Sequence, residues 1–231
     1  MANRPVFYVN KKNKIETIYC NFRWFPGFSY IQKNKSINSL SSAFRNKKNI
    51  DSLEVSSSSS SETGINASAF NLVLDTKQGF YTVEQLFQAG KDFYRNGEQS
   101  YILNNNSIDD IYNKRLKNKL SKNAKYSVKI LNNNDYIIGF KLFNKKFPNY
   151  PRDFYYNWIY CCALNQNVNN QIELSKQIVK YDAFTDINFN PQKSINCQAK
   201  ACAIFTSLYR SNFLFKALQN PKSFLKLVYD I

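Results

Sequence analysis

The sequence predicts an α+β fold, mainly α-helical, with residues 1–231 in a single compact domain. Three observations lead there. Short runs of β-forming residues open the chain, several later segments repeat apolar residues at the helical period, and no internal repeat or composition shift marks a boundary.

Residues 5–9 (PVFYV) and 15–20 (IETIYC) read as short strands separated by the turn-like NKKNK. After the Pro26-Gly27 turn, Ser36 to Arg45 reads as an amphipathic helix, with Ile37, Leu40 and Phe44 on one face. The run Ser56 to Gly64 has the composition of a flexible linker. Thr82 with Gln85 forms a capping-box pattern that opens a helix, and Asn96-Gly97 supplies its stop. Val83, Phe87, Gly90 and Tyr94 form the buried stripe of that helix. Further helices are predicted from Ser107 to about Leu120, after Pro151 (carrying Phe154, Trp158 and Cys162), and over Ile172 to Val179. Tyr181 to Pro191 reads as a loop, because it is rich in turn formers and ends on Asn190-Pro191. Ser194 to Arg210 reads as a buried helix, and Phe213 to Tyr229 as a helix broken at Pro221.

Composition excludes several chemistries. The chain has no histidine, which rules out Ser-His-Asp and Cys-His nucleophilic machinery and histidine-ligated metals. Acid–base work must then fall to Glu, Asp, Lys, Tyr or Cys. Cys20, Cys161, Cys162, Cys197 and Cys202 show no metal-ligand spacing and read as free thiols of a reducing compartment. No apolar window is long enough to span a bilayer, and no apolar leader follows Met1, so a cytoplasmic protein without a membrane partner is expected. The net charge of +16 clusters: residues 1–50 hold ten basic groups against one acid, and residues 114–129 hold seven against none. Such clusters favour a polyanionic partner, although 32 asparagines beside many lysines also suggest an A-rich coding bias.

Three constellations could carry chemistry. Glu84, Gln88 and Lys91 stand at i, i+4 and i+7, one face of the Thr82 helix, where a solvated ion pair would look the same. Asp182 and Asp186 lie in an aromatic loop beside Phe184 and Phe189, placed either to act or to tie the loop. Asn196 and Gln198 open the Ser194 helix, where amides bind a phosphate or simply cap.

Taken together these segments resemble a known family. VEQLFQAGKDF is similar to the glutamate-bearing helix motif of the NADAR superfamily, and ASAFNL (Ala67 to Leu72, with Phe70 and Asn71) resembles its L-S-N-F segment. More specifically, RPVF, FSYIQKNKSINSL, LEVSS, RLKNKL, FYYNWIY and YDAFTDINFNPQKSINCQAKA resemble the NADAR antitoxins encoded beside DarT-type DNA ADP-ribosyltransferases. The match runs in one order over nearly the whole chain.

The resemblance implies a glycosidase without a cofactor or metal that removes ADP-ribose from guanine bases of DNA. Its partners would be ADP-ribosylated single-stranded DNA or ADP-ribosyl-guanosine, with functional pairing to a DarT-type toxin. It also turns the Ser56 to Gly64 run from a linker into a site loop. Glu84, Asp186 and Lys35 match its candidate catalytic positions; Phe70, Asn71, Gln88, Lys91, Trp158, Phe184, Asn196 and Gln198 are the substrate-binding candidates. Two positions depart from the pattern: Ser58 stands where a lysine follows LEVSS, and Ser41 where a histidine follows the preceding Ser-Leu. A lysine that captures the opened ribose as a Schiff base would then be Lys35 or Lys91. An enzyme for a free nucleotide or small glycosylamine, and a non-catalytic module for ADP-ribose or nucleic acid, remain the alternatives.

Overall fold

A computed structural model describes residues 1–95, 98–99, 136–166 and 168–231. The helix expected over 107–120 and the basic run 114–129 lie outside these residues. The fold is α+β, with eight helices and ten strands among the described residues.

Strands β1 (Ala2–Val9) and β2 (Ile15–Phe22) form the expected hairpin, each somewhat longer than the β-forming runs suggested. Antiparallel to β1 lies β10 (Ala183–Thr185), which pairs in parallel with β3 (Ser52–Glu54), giving a four-stranded sheet in the order β2-β1-β10-β3. Strand alternation divides the side chains between two cores. Val6 and Ala183 face helix α1 (Tyr30–Lys48), packing with Leu40 and Phe44. Phe7, Val9, Leu53 and Phe184 face the larger core on the other side. The segment 181–191 is therefore not simply a loop. Ala183, Phe184 and Thr185 are buried on both faces of the sheet, and so short a central strand has no room to display alternation.

Helix α1 begins six residues before the predicted start. Ser29 caps it by accepting a hydrogen bond from Gln32 N, and Asn49 closes it in the left-handed region at φ 54°. The serine run is packed rather than flexible: Ser56, Ser58 and Ser59 are buried, and helix α2 (Glu62–Asn66) follows.

The hairpin of β4 (Val73–Thr76) and β5 (Gly79–Thr82) leads into helix α3 (Val83–Gly90), whose Thr82–Gln85 capping box forms as predicted. The helix does not reach Asn96-Gly97. It stops at Gly90, where the chain leaves as strand β6 (Lys91–Arg95) in a second four-stranded sheet, β7-β6-β8-β9. Here β7 is Glu98–Gln99, β8 is Tyr136–Leu142 and β9 is Lys145–Pro148. The helix gives way to sheet pairing, Lys91 standing opposite Phe140 of β8, and the approach there admits only glycine at position 90: a Cβ would lie 2.5 Å from the Lys141 carbonyl and 2.7 Å from the Tyr155 hydroxyl.

Helix α4 (Phe154–Leu164) runs through the larger core. Its Tyr155 stacks on Phe140 at 4.9 Å and meets Phe147 at 5.0 Å, tying the second sheet to α4. Burying such a ring contributes roughly 1.5–3 kcal/mol. Helices α5 (Gln171–Ile178) and α6 (Gln198–Arg210) follow. The predicted break at Pro221 separates α7 (Leu214–Leu218) from α8 (Pro221–Tyr229), with Pro221 in the first turn, where its missing N–H costs nothing. Buried Asp153 accepts from Lys200 Nζ (2.6 Å), Asn157 Nδ2 (3.0 Å) and the Tyr229 hydroxyl (3.1 Å), joining α4, α6 and α8.

Among the described residues no helix is long and apolar enough to cross a membrane. All five cysteines are free. Burial pushes Cys162 and Cys202 up to about 12 and raises Cys161 and Cys197 well above the usual thiol range, so all four are thiols rather than nucleophilic thiolates.

Candidate functional site

Where α3, α4, α6, the second sheet and the 186–198 segment converge, the surface opens into a cleft of about 440 Å³. That volume is in the range of small-molecule sites, roughly 300–1,000 Å³. Seven of the eleven predicted site residues line it: Phe70, Glu84, Gln88, Lys91, Asp186, Asn196 and Gln198.

Local hydrogen bonding explains their convergence. The ASAFNL segment folds over the start of α3: Ala69 O accepts from Glu84 N (3.0 Å) and Leu72 O from Val83 N (2.9 Å). Glu84 therefore sits in the first helical turn, where the positive end of the helix dipole favours a carboxylate. Its Oε1 accepts from Gln88 Nε2 (2.8 Å), and Gln88 Oε1 accepts from Lys91 Nζ (2.7 Å). The expected trio is thus linked, although Lys91 belongs to β6 and not to a continuing helix face. Its ammonium also lies 4.7 Å from the Phe87 ring centroid.

Asp186 approaches from the end of β10. Its carboxylate accepts from Gln198 N and Gln198 Nε2 (both 3.2 Å) and from Asn188 N (3.1 Å), while Gln198 Oε1 accepts from Ala69 N (2.7 Å). Gln198 thereby clamps Asp186 to the segment that positions Glu84. Burial pushes the Asp186 carboxyl up to about 6, against the lowering effect of these donors. Helix α6 starts at Gln198, four residues later than predicted, so Asn196 sits in the extended approach to it. The Asn196 Oδ1 is buried without a protein partner among the described residues.

Four predicted residues are placed elsewhere. Phe184 is wholly buried in β10, out of reach of any ligand ring; Phe189 of the same loop lines the cleft in its stead. Trp158 is half-buried and packs on Phe147 at 5.2 Å. Asn71 turns away, donating to Ile65 O (2.8 Å). Lys35 is exposed on α1 and lies outside the cleft. Two positions along a helix are about 200° around its axis, so Lys33 turns inward, donating to Ser58 Oγ (3.2 Å), while Lys35 turns out. Of the two loop aspartates, Asp182 serves as a tie, paired to Arg210 at 2.6 Å.

Several groups escaped the sequence reading. Glu54 of LEVSS is buried behind Asp186; its oxygens accept from Ser56 Oγ (2.8 Å), Thr185 Oγ1 (2.7 Å) and Ile187 N (2.9 Å). Burial and the Asp186 charge push it up to about 7. Tyr156 lines the cleft, and burial together with the Glu84 and Asp186 charges raises its hydroxyl well above the usual range, so it stays a neutral donor. Arg152 and Lys193, both exposed, add cations to the rim. Only the helix period of FYYNWIY could have suggested Tyr156; nothing in the sequence singles out Glu54.

The fold and cleft together define an α+β protein whose cleft is lined by two carboxyl groups and a rim of cations. The model of the NADAR-DarT1 family, described as DarT1-associated NADAR antitoxin, matches residues 2–231, and the chain belongs to that family. A comparison with curated proteins finds no match.

Proposed function

We propose that the cleft binds ADP-ribose joined to a guanine base of DNA and hydrolyses the N-glycosidic bond, so that the chain undoes the modification made by a DarT-type toxin. The observation that carries this reading is the meeting of Glu84 and Asp186 in one cleft whose other charged residues are Lys91, Arg152 and Lys193. The cations suit a pyrophosphate, and Phe70, Phe87 and Phe189 offer apolar walls for a base.

In the proposed reaction the bond between the anomeric carbon and the guanine amine breaks. Asp186 delivers its proton to the departing nitrogen, and water adds to the carbon. Glu84 stabilises the positive charge developing on the sugar and accepts the proton of the attacking water. Burial suits Asp186 to the acid role, since a carboxyl pushed up to about 6 retains a proton fraction near neutrality. The Tyr156 hydroxyl donates to a sugar or phosphate oxygen. This direct route takes precedence over Schiff-base capture, because Lys35 is exposed on α1 and Lys91 Nζ is held by Gln88.

The test is incubation with guanine-ADP-ribosylated single-stranded DNA, reading free ADP-ribose and restored guanine. Release from ADP-ribosyl-guanosine alone would shift the reading to a free nucleotide, and tight binding without release to a non-catalytic module. Borohydride added during turnover separates the routes, since a trapped sugar–lysine adduct would overturn the direct one.

A further inference from the structure

We infer that the strap joining β2 to α1, together with the first turn of α1, is a stacking platform for the single-stranded nucleic acid that flanks the modified base. This rests on the DNA reading above for the choice of ligand, but its evidence lies outside the cleft.

Four large apolar side chains crowd into eight residues at the surface: Trp24 is 39% exposed, Phe28 98%, Tyr30 61% and Ile31 66%. A row of this kind is costly to leave in water and marks an interaction surface. The strap is held in place, because Arg23 N donates to Ser39 Oγ (3.1 Å) and Ser36 Oγ bridges Phe25 N (3.0 Å) and Phe25 O (3.3 Å). The rings are therefore presented from fixed backbone.

Charge selects the occupant. The Arg4 guanidinium lies 5.8 Å from the Trp24 ring centroid and that of Arg23 4.9 Å from Phe25, and neither arginine has an ion-pair partner among the described residues. At the opposite end of α1 two cations are paired within the protein, Arg45 with Asp51 and Lys48 with Glu16, and Lys47 is tied to Tyr19 O. Cations thus remain open where the aromatic rings are exposed. Exposed rings among unpaired arginines fit a ligand with both π faces and phosphates, as single-stranded nucleic acid has. A chain of hydrogen bonds links the platform to the cleft. Lys33 donates to Ser58 Oγ, Ser58 N to Ser56 Oγ, and Ser56 Oγ to Glu54, whose Oε1 also accepts from Ile187 N beside Asp186.

The probe is an unmodified fluorescein-labelled single strand of about twelve nucleotides, within the span of such sites, read by anisotropy with the full chain. The variants are Phe28→Ala with Tyr30→Ala, and Arg23→Gln; Lys222→Gln on α8 is the charge control. Truncating the two rings should weaken binding about tenfold or more, and Arg23→Gln less, with the control unchanged. Release from ADP-ribosyl-guanosine should stay as in the wild type for all four substitutions. Wild-type affinity in the double variant, or equal affinity for a duplex of the same length, would overturn the inference. So would a concentration-dependent dimer that the double variant abolishes, since that assigns the face to self-association. If no modified base is released yet the single strand binds through these residues, the proposed reaction falls and the platform stands. Unchanged thermal melting of the double variant excludes misfolding.

Discussion

Glu84 and Asp186 reach one cleft from unlike settings, the first on a helix end with its neighbour Gln88 as donor, the second in a buried turn clamped by Gln198. Glu84→Gln keeps the shape of the side chain while removing its charge. ADP-ribose release should fall to background, and ADP-ribose affinity, by calorimetry, should stay within about tenfold, roughly 1.4 kcal/mol. Near wild-type turnover would remove Glu84 from the mechanism. Behind them, Glu54 makes a prediction about stability. Its carboxyl is pushed from 4.5 up to about 7 in the folded protein, so the folded state binds the proton more tightly than the unfolded chain. The resulting stabilisation is fully present below pH 4.5 and is lost as pH rises through about 7. Urea unfolding at pH 5.5 and pH 8 should show the wild type losing stability with rising pH. Glu54→Gln should reduce that loss by on the order of 2 kcal/mol. An unchanged pH dependence would mean that Glu54 is not the group that titrates.

At the scale of elements, α3 ends where Lys91 pairs with β8, a contact remote in sequence that also leaves no room for a side chain at Gly90. With the Lys141 carbonyl 2.5 Å from where a Cβ would stand, Gly90→Ala must push β8 or Tyr155 aside. The expected cost is about 1–3 kcal/mol, read as a lower urea midpoint at constant slope; a midpoint equal to the wild type would show that β8 gives way freely. This explains why the helix end was misread. The local stop at Asn96-Gly97 is sound turn chemistry, and only the fold reveals that the chain has already turned into β6. The capping box at Thr82, the N-terminal hairpin and the break at Pro221 were legible because each is made by neighbours in sequence. Strand β10 was hidden because its three residues take their pairing from β1 and β3, far along the chain. The site divides the same way. Glu84, Gln88 and Lys91 could be grouped by spacing, whereas Glu54 is a partner of Asp186 solely through the parallel pairing of β3 with β10. Phe184 and Lys35 were misplaced because spacing does not say which face of a strand or helix is buried.

For the whole molecule, the open question of composition is whether a net charge of +16 is coding bias or function. The structure sharpens it: among the described residues Arg4 and Arg23, beside the strap, have no ion-pair partner, while Arg45 and Lys48 at the far end of α1 are paired. Lysines spread by coding bias would raise the general potential without placing several phosphates at defined contacts. A strand laid across a platform releases a counterion at each contact, so its affinity should fall with salt by a log–log slope of about −0.7 per phosphate engaged. Three contacts would give a slope of about −2 for an ADP-ribosylated oligonucleotide. On the proposed reading free ADP-ribose would meet only the cleft, whose cations are Lys91, Arg152 and Lys193, and its slope should be distinctly shallower. Titrations between 50 and 300 mM salt with both ligands measure the difference directly. A steeper oligonucleotide slope assigns the excess charge to capture of the strand; parallel slopes would leave the +16 as composition alone and confine recognition to the cleft.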